Sequence, residues 1–188
     1  MSYFLEAVDY VLKREGGFVD SPVDPGGATN YGISLRFLRE VPAERLRKYG
    51  LFKAPDEVDV VDIQHLTQDQ AMLIYKGEFW DLVPLEKIDN SDLINYIFDM
   101  CVNHGIAEGI KILQRAIWAF YEKREYEDLQ IDGILGAHTI EILDTTPVDE
   151  FRRSLVSERS GFMRLLVAVN PKERENLNGW LDRCYRFL

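Results

Sequence analysis

The residue in this sequence best placed to do chemistry is Glu15. Phe4, Leu5, Val8, Val11 and Leu12 recur at i, i+1, i+4, i+7 and i+8, the apolar face of an amphipathic helix. Glu15 lies four residues after Val11, so it prolongs that face. Gly16-Gly17 then ends the helix. Burial and the negative end of the helix dipole both oppose charge on such a carboxyl. A carboxylic acid kept protonated near neutral pH is what general acid catalysis needs. A frayed, solvated helix end is the plainer alternative. The run that follows, Glu15-Gly-Gly-Phe-Val-Asp-Ser-Pro-Val-Asp24-Pro-Gly-Gly-Ala-Thr29-Asn30-Tyr31-Gly-Ile-Ser34, favours the chemical reading. Glycine allows backbone angles that other residues avoid and lets a ligand approach closely. Such density between two apolar helices predicts a shaped loop or small β-hairpin that sets Asp24 and Thr29 near Glu15. Asp24 before Pro-Gly-Gly is also good turn chemistry, and a threonine hydroxyl in a loop often bonds nearby backbone.

The elements that must position these residues read as mostly helical. The first helix is expected over residues 3–15 and a second from Ser34 to Glu40, with the segment from Pro42 to His65 mixed. Thr67-x2-Gln70 has the form of a capping box opening a helix to about Phe79. Trp80 follows, read here as a core anchor. Ser91 is expected to cap a helix with the stripe Leu93, Ile94, Ile97, Phe98. On it Asp99 and Asn103 share a face beside the apolar stripe, pointing either into a groove or into a polar network that ends at Gly105. A long helix is expected from Ala107 to Lys123, a turn at Asp132-Gly133, a short helix near Ala137–Leu143, and a cap at Thr146-Pro147 opening a helix to Ala168. Asn170-Pro171 breaks that helix, and a last one runs near Gly179–Tyr185. The fold class is mainly α. The best boundary lies near Leu85–Asn90, giving residues 1–88 and 89–188 as two helical lobes packed as one compact unit with a cleft between them.

The stretch E-G-G-F-x5-D-P-G-G-A-T-N-Y-G-I-S resembles the signature of glycoside hydrolase family 108, bacterial and phage N-acetylmuramidases that include proteins described as secretion activators. Phe98-Asp99-x3-Asn103-x-Gly105, Leu113-Gln114, Ile131-Asp132-Gly133-x2-Gly136-x2-Thr139 and Gly179-Trp180-x2-Arg183 resemble the peptidoglycan-binding region that follows in that family. The resemblance implies a lysozyme-like two-lobed fold, with residues 1–88 catalytic and residues 89–188 binding peptidoglycan. It implies cleavage of the β-1,4 bond between N-acetylmuramic acid and N-acetylglucosamine, with Glu15 as general acid. The spacing of Glu15, Asp24 and Thr29 is also similar to the Glu–Asp–Thr site of phage-type lysozymes. It differs by one residue, so that Asn30 falls where the threonine is expected. In such a site Asp24 orients a water, attacks as a nucleophile or stabilises the oxocarbenium-like centre. The resemblance makes Asn30, Tyr31, Trp80, Asp99 and Asn103 candidate substrate contacts.

Composition sets the limits. A net charge of −10 argues against a nucleic-acid partner and against reliance on anionic wall polymers, whereas a neutral glycan is bound by hydrogen bonds and stacking. The three histidines, His65, His104 and His138, lack metal-ligand spacing, so neither metal nor cofactor is expected. Cys101 and Cys184 read as buried thiols. No apolar run is long enough for a transmembrane helix, and the start of the chain lacks signal-peptide features. A monomer made in the cytoplasm is expected, reaching the cell wall through a holin or another non-classical export route. Two other functions fit the same residues: a non-catalytic peptidoglycan-binding or secretion-helper protein, and a lytic transglycosylase.

Overall fold

Helix forms wherever the apolar period of the sequence is 3.6 residues, and the result is about 70% helix with one small sheet. The structure is a computed structural model, and it describes residues 2–20, 27–121, 126 and 128–188. The chain divides into two compact units, Met1–Leu82 and Val83–Leu188. Among the described residues no helix is long and apolar enough to cross a membrane.

The first unit holds α1 (Tyr3–Leu12), the strands β1 (Thr29–Asn30) and β2 (Ile33–Ser34), α2 (Leu35–Glu40), α3 (Ala43–Lys48), α4 (Val60–Gln64) and α5 (Gln68–Glu78). Its core is Ala7, Val8 and Val11 of α1 with Leu38, Leu46, Ile63, Ala71 and Ile74. Side-chain caps fix where α2, α4 and α5 begin. Ser34 Oγ accepts from Phe37 N at 3.1 Å, and Asp59 Oδ1 accepts from Val61 N at 2.8 Å. The expected capping box of α5 is formed: Thr67 Oγ1 accepts from Gln70 N at 3.2 Å while Gln70 Oε1 accepts from Thr67 N at 3.0 Å. Between Pro42 and His65, where the sequence was mixed, two short helices form around the turn at Pro55. A further tie runs from α3 to α5. The Tyr49 hydroxyl donates to Glu78 Oε1 at 2.6 Å, and Arg45 pairs with the same carboxylate at 3.1 Å. Gly77 makes room for it, since a Cβ there would lie 2.3 Å from the Tyr49 oxygen.

The second unit holds α6 (Ser91–His104), α7 (Ile106–Tyr121), α8 (Ala137–Thr145), α9 (Val148–Val169) and α10 (Leu177–Tyr185). Asn90, not Ser91, caps α6: its Oδ1 accepts from Leu93 N at 2.9 Å, which leaves Ser91 as the first helical residue. Asn is as good a cap as Ser, so the sequence offered two neighbouring choices. Thr146 likewise differs from expectation. Its hydroxyl donates back to Ile142 O at 2.7 Å and finishes α8, leaving Pro147 to open α9. Helices α6 and α7 approach closely at Gly109, where a Cβ would stand 2.9 Å from the Cys101 nitrogen. Buried Gln114 holds the Asp132-Gly133 turn. It donates to Asp132 Oδ1 at 2.8 Å and accepts from Gly133 N at 3.0 Å. Cys101 and Cys184 are buried free thiols.

The centre of this unit is an ion pair network. Asp99 of α6 and Arg159 of α9 are fully buried and meet at 2.7 Å. Arg183 of α10 donates to Asp99 Oδ1 at 2.7 Å through Nη2 and at 3.0 Å through Nε. Arg159 Nε also donates to His104 Nε2 at 3.3 Å, and its guanidinium lies 4.9 Å from the Tyr96 ring centroid. One carboxylate thus joins three helices. The two guanidinium groups hold the Asp99 carboxyl below its usual range against the opposing effect of burial. Burial, then the Arg159 charge, lowers His104 to about 3.

A histidine that stays neutral when folded but takes up a proton when unfolded gives stability that is full above about pH 6.5 and declines as pH falls toward the folded value. Asp99 adds a loss of the same sign below the ordinary carboxylate range. Urea denaturation at pH 5 is expected to show a stability up to about 2 kcal/mol below that at pH 7. In His104→Gln most of that difference should vanish. An equal pH dependence in the variant would place its origin elsewhere.

Candidate functional site

The regular part of α1 ends at Leu12, one turn earlier than the periodicity predicts. The chain nevertheless continues to wind: Arg14 N donates to Val11 O at 2.8 Å, and Glu15 N donates to the same carbonyl at 3.1 Å. Glu15 therefore leaves a helix terminus and is half-buried. Arg14 beside it turns back on α1, with its guanidinium 3.3 Å from the Tyr10 ring centroid.

The wall facing Glu15 is a hairpin. Val19 and Thr29 exchange backbone hydrogen bonds of 2.8 Å in both directions. Thr29 pairs with Ser34 and Asn30 with Ile33, leaving Tyr31-Gly32 as a two-residue turn. Both turn residues have positive φ, 51° for Tyr31 and 75° for Gly32, the backbone of a type I′ turn. A Cβ on Gly32 would lie 2.6 Å from both Cδ and Oε2 of Glu15. The carboxyl group of Glu15 is packed against the α-carbon of Gly32, so no other residue type fits there without displacing the acid. Glycine at Gly16 and Gly17 answers no such demand, because a Cβ at either would meet nothing within 4 Å.

Two side chains hold this hairpin in place. Asn30 is buried, 6% exposed, and its Nδ2 donates to Ile63 O at 3.0 Å, with Gln64 O at 3.4 Å and Leu66 O at 3.5 Å further off. These are carbonyls at and just beyond the C-terminal end of α4, where Ile63 O also accepts from Leu66 N at 3.2 Å. Buried Tyr75 of α5 donates its hydroxyl to Tyr31 O at 2.7 Å. A bulky residue in the left-handed region costs about 1–2 kcal/mol. A net hydrogen bond contributes about 0.5–1.5 kcal/mol. The Tyr75 bond is thus of the size needed to hold Tyr31 where it is.

The remaining predicted residues fall in different surroundings. Thr29 is half-buried in β1, Tyr31 is half-buried in the turn, and Asp24 lies outside the described residues. Trp80 is buried, its ring 5.4 Å from that of Phe4 in an edge-on contact that joins the end of α5 to α1. In the second unit the Asp99 carboxylate is enclosed by Arg159 and Arg183. Asn103 is exposed on the last turn of α6, with Nδ2 donating to Asp99 O at 2.7 Å. Sequence reasoning missed Gly32, Tyr75 and Arg159. For Gly32 the signal was a two-residue turn between Thr-Asn and Ile-Ser. For Arg159 it was a cation four residues from Leu155 and four from Met163, on the buried stripe of α9. Among the described residues no group of three His, Cys, Asp or Glu side chains could hold a metal ion.

A mainly helical fold with a carboxyl at the end of its first helix, set against a short hairpin, is the lysozyme-like class. Residues 8–105 match the Glycosyl hydrolase 108 family, and the chain belongs to that family. Residues 108–185 match the Predicted Peptidoglycan domain, which makes this a peptidoglycan-active protein. Among solved structures, the one titled "Structure of Brucella abortus SagA" aligns with a TM-score of 0.66 at 24% identity, covering 98% of this chain and 94% of that chain. What is shared at that identity is the fold. No curated protein matches the chain.

Two glycines of one loop should respond differently to alanine. Gly32→Ala adds a Cβ where the Glu15 carboxyl sits and keeps a left-handed backbone, so a loss of about 1–3 kcal/mol is expected in urea denaturation. Gly16→Ala should change stability by no more than about 0.5 kcal/mol. Asn30→Ala removes a buried donor that ties the hairpin to the Ile63 carbonyl and should cost about 0.5–1.5 kcal/mol. Equal effects of the two glycine substitutions would refute the packing of Glu15 on Gly32.

Proposed function

We propose that the protein is an N-acetylmuramidase that hydrolyses the β-1,4 bond between N-acetylmuramic acid and N-acetylglucosamine, with Glu15 as its general acid. The observation that carries this reading is the seating of the Glu15 carboxyl at the end of α1 against the Gly32 turn. A glycosidase must deliver a proton to the leaving oxygen from a carboxyl held in one place. Glu15 is half-buried, and its carboxyl lies against the turn of the hairpin. Thr29 and Tyr31 belong to the same hairpin and are the candidate contacts for water and sugar. Asp24 is the second carboxylate of the proposal, orienting a water or stabilising the positive charge that develops at the anomeric carbon. Asn30 holds the hairpin for them. In the second unit the exposed amide end of α6 at Asn103 is the candidate glycan contact, framed by the Asp99 network. Passage to the cell wall through a holin or another non-classical route completes the proposal.

The test is mass spectrometry of soluble fragments released from purified peptidoglycan. Wild type should release muropeptides ending in reducing N-acetylmuramic acid. Glu15→Gln should lower the rate by about 10²–10⁴-fold. Products lighter by one water would identify a lytic transglycosylase instead. Binding without fragments from wild type would leave a peptidoglycan-binding protein without turnover.

A further inference from the structure

We infer that Tyr75 is a positioning residue for Glu15, acting through the Tyr31 carbonyl and the Gly32 turn. This rests on the reading of Glu15 as the acid, but its geometric core does not. The chain of contacts is short. The Tyr75 hydroxyl donates to Tyr31 O at 2.7 Å, and that oxygen belongs to the peptide unit that carries the Gly32 nitrogen. The α-carbon of Gly32 is in turn the wall of the Glu15 carboxyl, 2.6 Å from it at the position of a missing Cβ. Rotation of the Tyr31–Gly32 peptide would therefore move the surface on which the acid rests.

Nothing in the turn itself prevents that rotation. Tyr31 holds a φ of 51°, a conformation that a bulky side chain leaves readily when released. The hairpin is minimal, two residues in each strand, so its ladder contributes little to the orientation of this peptide. Asn30 anchors the hairpin at its base on α4, and Tyr75 anchors it at the turn from α5. The two anchors come from different helices and fix different atoms. Tyr75 itself is 1% exposed and rises from a helix whose start is set by a complete capping box, so it is a rigid donor. A purely space-filling aromatic at this position would be served equally by phenylalanine. The hydroxyl on the Tyr31 carbonyl is the part that phenylalanine lacks.

The experiment compares wild type, Tyr75→Phe and Glu15→Gln as full chains. Glutamate labelled with carbon-13 at the carboxyl gives one resonance per residue, and Glu15 is assigned by its loss in Glu15→Gln. In Tyr75→Phe the Glu15 resonance is expected to shift or split at fixed pH, while the other carboxyl resonances stay in place. On peptidoglycan the same variant should lose about 10–100-fold in kcat with KM changed less than about twofold, as for a misplaced catalytic group. A Glu15 resonance identical to wild type in Tyr75→Phe overturns the inference, whatever the activity. Should Tyr75→Phe fail to fold, the comparison is repeated on the double variant Tyr75→Phe, Tyr31→Gly, in which glycine removes the strain of the left-handed turn but supplies no substitute for the hydroxyl. An unmoved resonance there overturns the inference as well. If wild type itself releases no fragments, the muramidase reading falls separately and the resonance alone decides the role of Tyr75.

Discussion

The first unit depends on a steric constraint: a carboxyl group and a hairpin turn occupy adjoining space, and only a residue without a side chain can stand between them. Gly32 meets that condition, with a Cβ position 2.6 Å from the Glu15 carboxyl. Much of the local structure follows from it. The turn must be two residues long to bring Gly32 to the tip, and a two-residue turn of this hand requires positive φ at both positions. One of the two is Tyr31, which is held there at a cost. The hairpin is too short to bear that cost alone, so helices α4 and α5 each supply a contact to it. The Tyr31-Gly32 turn is therefore fixed by its surroundings. Gly16 and Gly17, by contrast, have room around them.

The second unit is organised by charge. Burying an aspartate in a helical core costs several kcal/mol unless its charge is matched and its oxygens are hydrogen-bonded. Two arginines from separate helices do both for Asp99. The network carries one more positive than negative charge, and the neighbouring His104 stays neutral in consequence of burial and of Arg159. The direction is the expected one: a second cation next to a guanidinium would be repelled, whereas a neutral ring nitrogen accepts its hydrogen bond. An ion network of this kind is less valuable for net stability than for specificity. A slip of α6, α9 or α10 against the others would strand a buried charge, and leaving one unpaired costs several kcal/mol.

What could be read from the sequence was what local chemistry decides. The helical class, the box at Thr67 and Gln70 and the stripe of α6 are all set by neighbours in the chain, and all are present. Errors arose where two adjacent residues could serve equally, as with Asn90 and Ser91, or where a hydroxyl could cap either of two helices, as with Thr146. The first helix read long because Glu15 continues the winding after its regular hydrogen bonding has changed. Gly32, Tyr75 and Arg159 were not found because their roles are defined by partners far along the chain: Glu15, Tyr31 and Asp99 respectively. No periodicity reports such a pairing. Asn30 was read through spacing as a substitute for threonine, but its amide is directed inward to α4.

Two carboxylates of this chain, Glu15 and Asp99, show how surroundings assign a role. Both sit on the apolar side of a helix, and sequence alone gives no reason to treat them differently. Asp99 is fully enclosed and faces two guanidinium groups, so it is held ionised and every oxygen is occupied. A group in that state has no proton to give and no path by which a sugar could reach it, and its side chain belongs to the frame of the unit. Glu15 is half-buried, with the tip of a strained turn on one side. Its carboxyl lies against the α-carbon of Gly32, so the shape of the turn limits where it can sit. That difference in access is why the proposed role of general acid falls on Glu15 and not on Asp99, because a proton donor has to be held in place and still be reachable by its substrate.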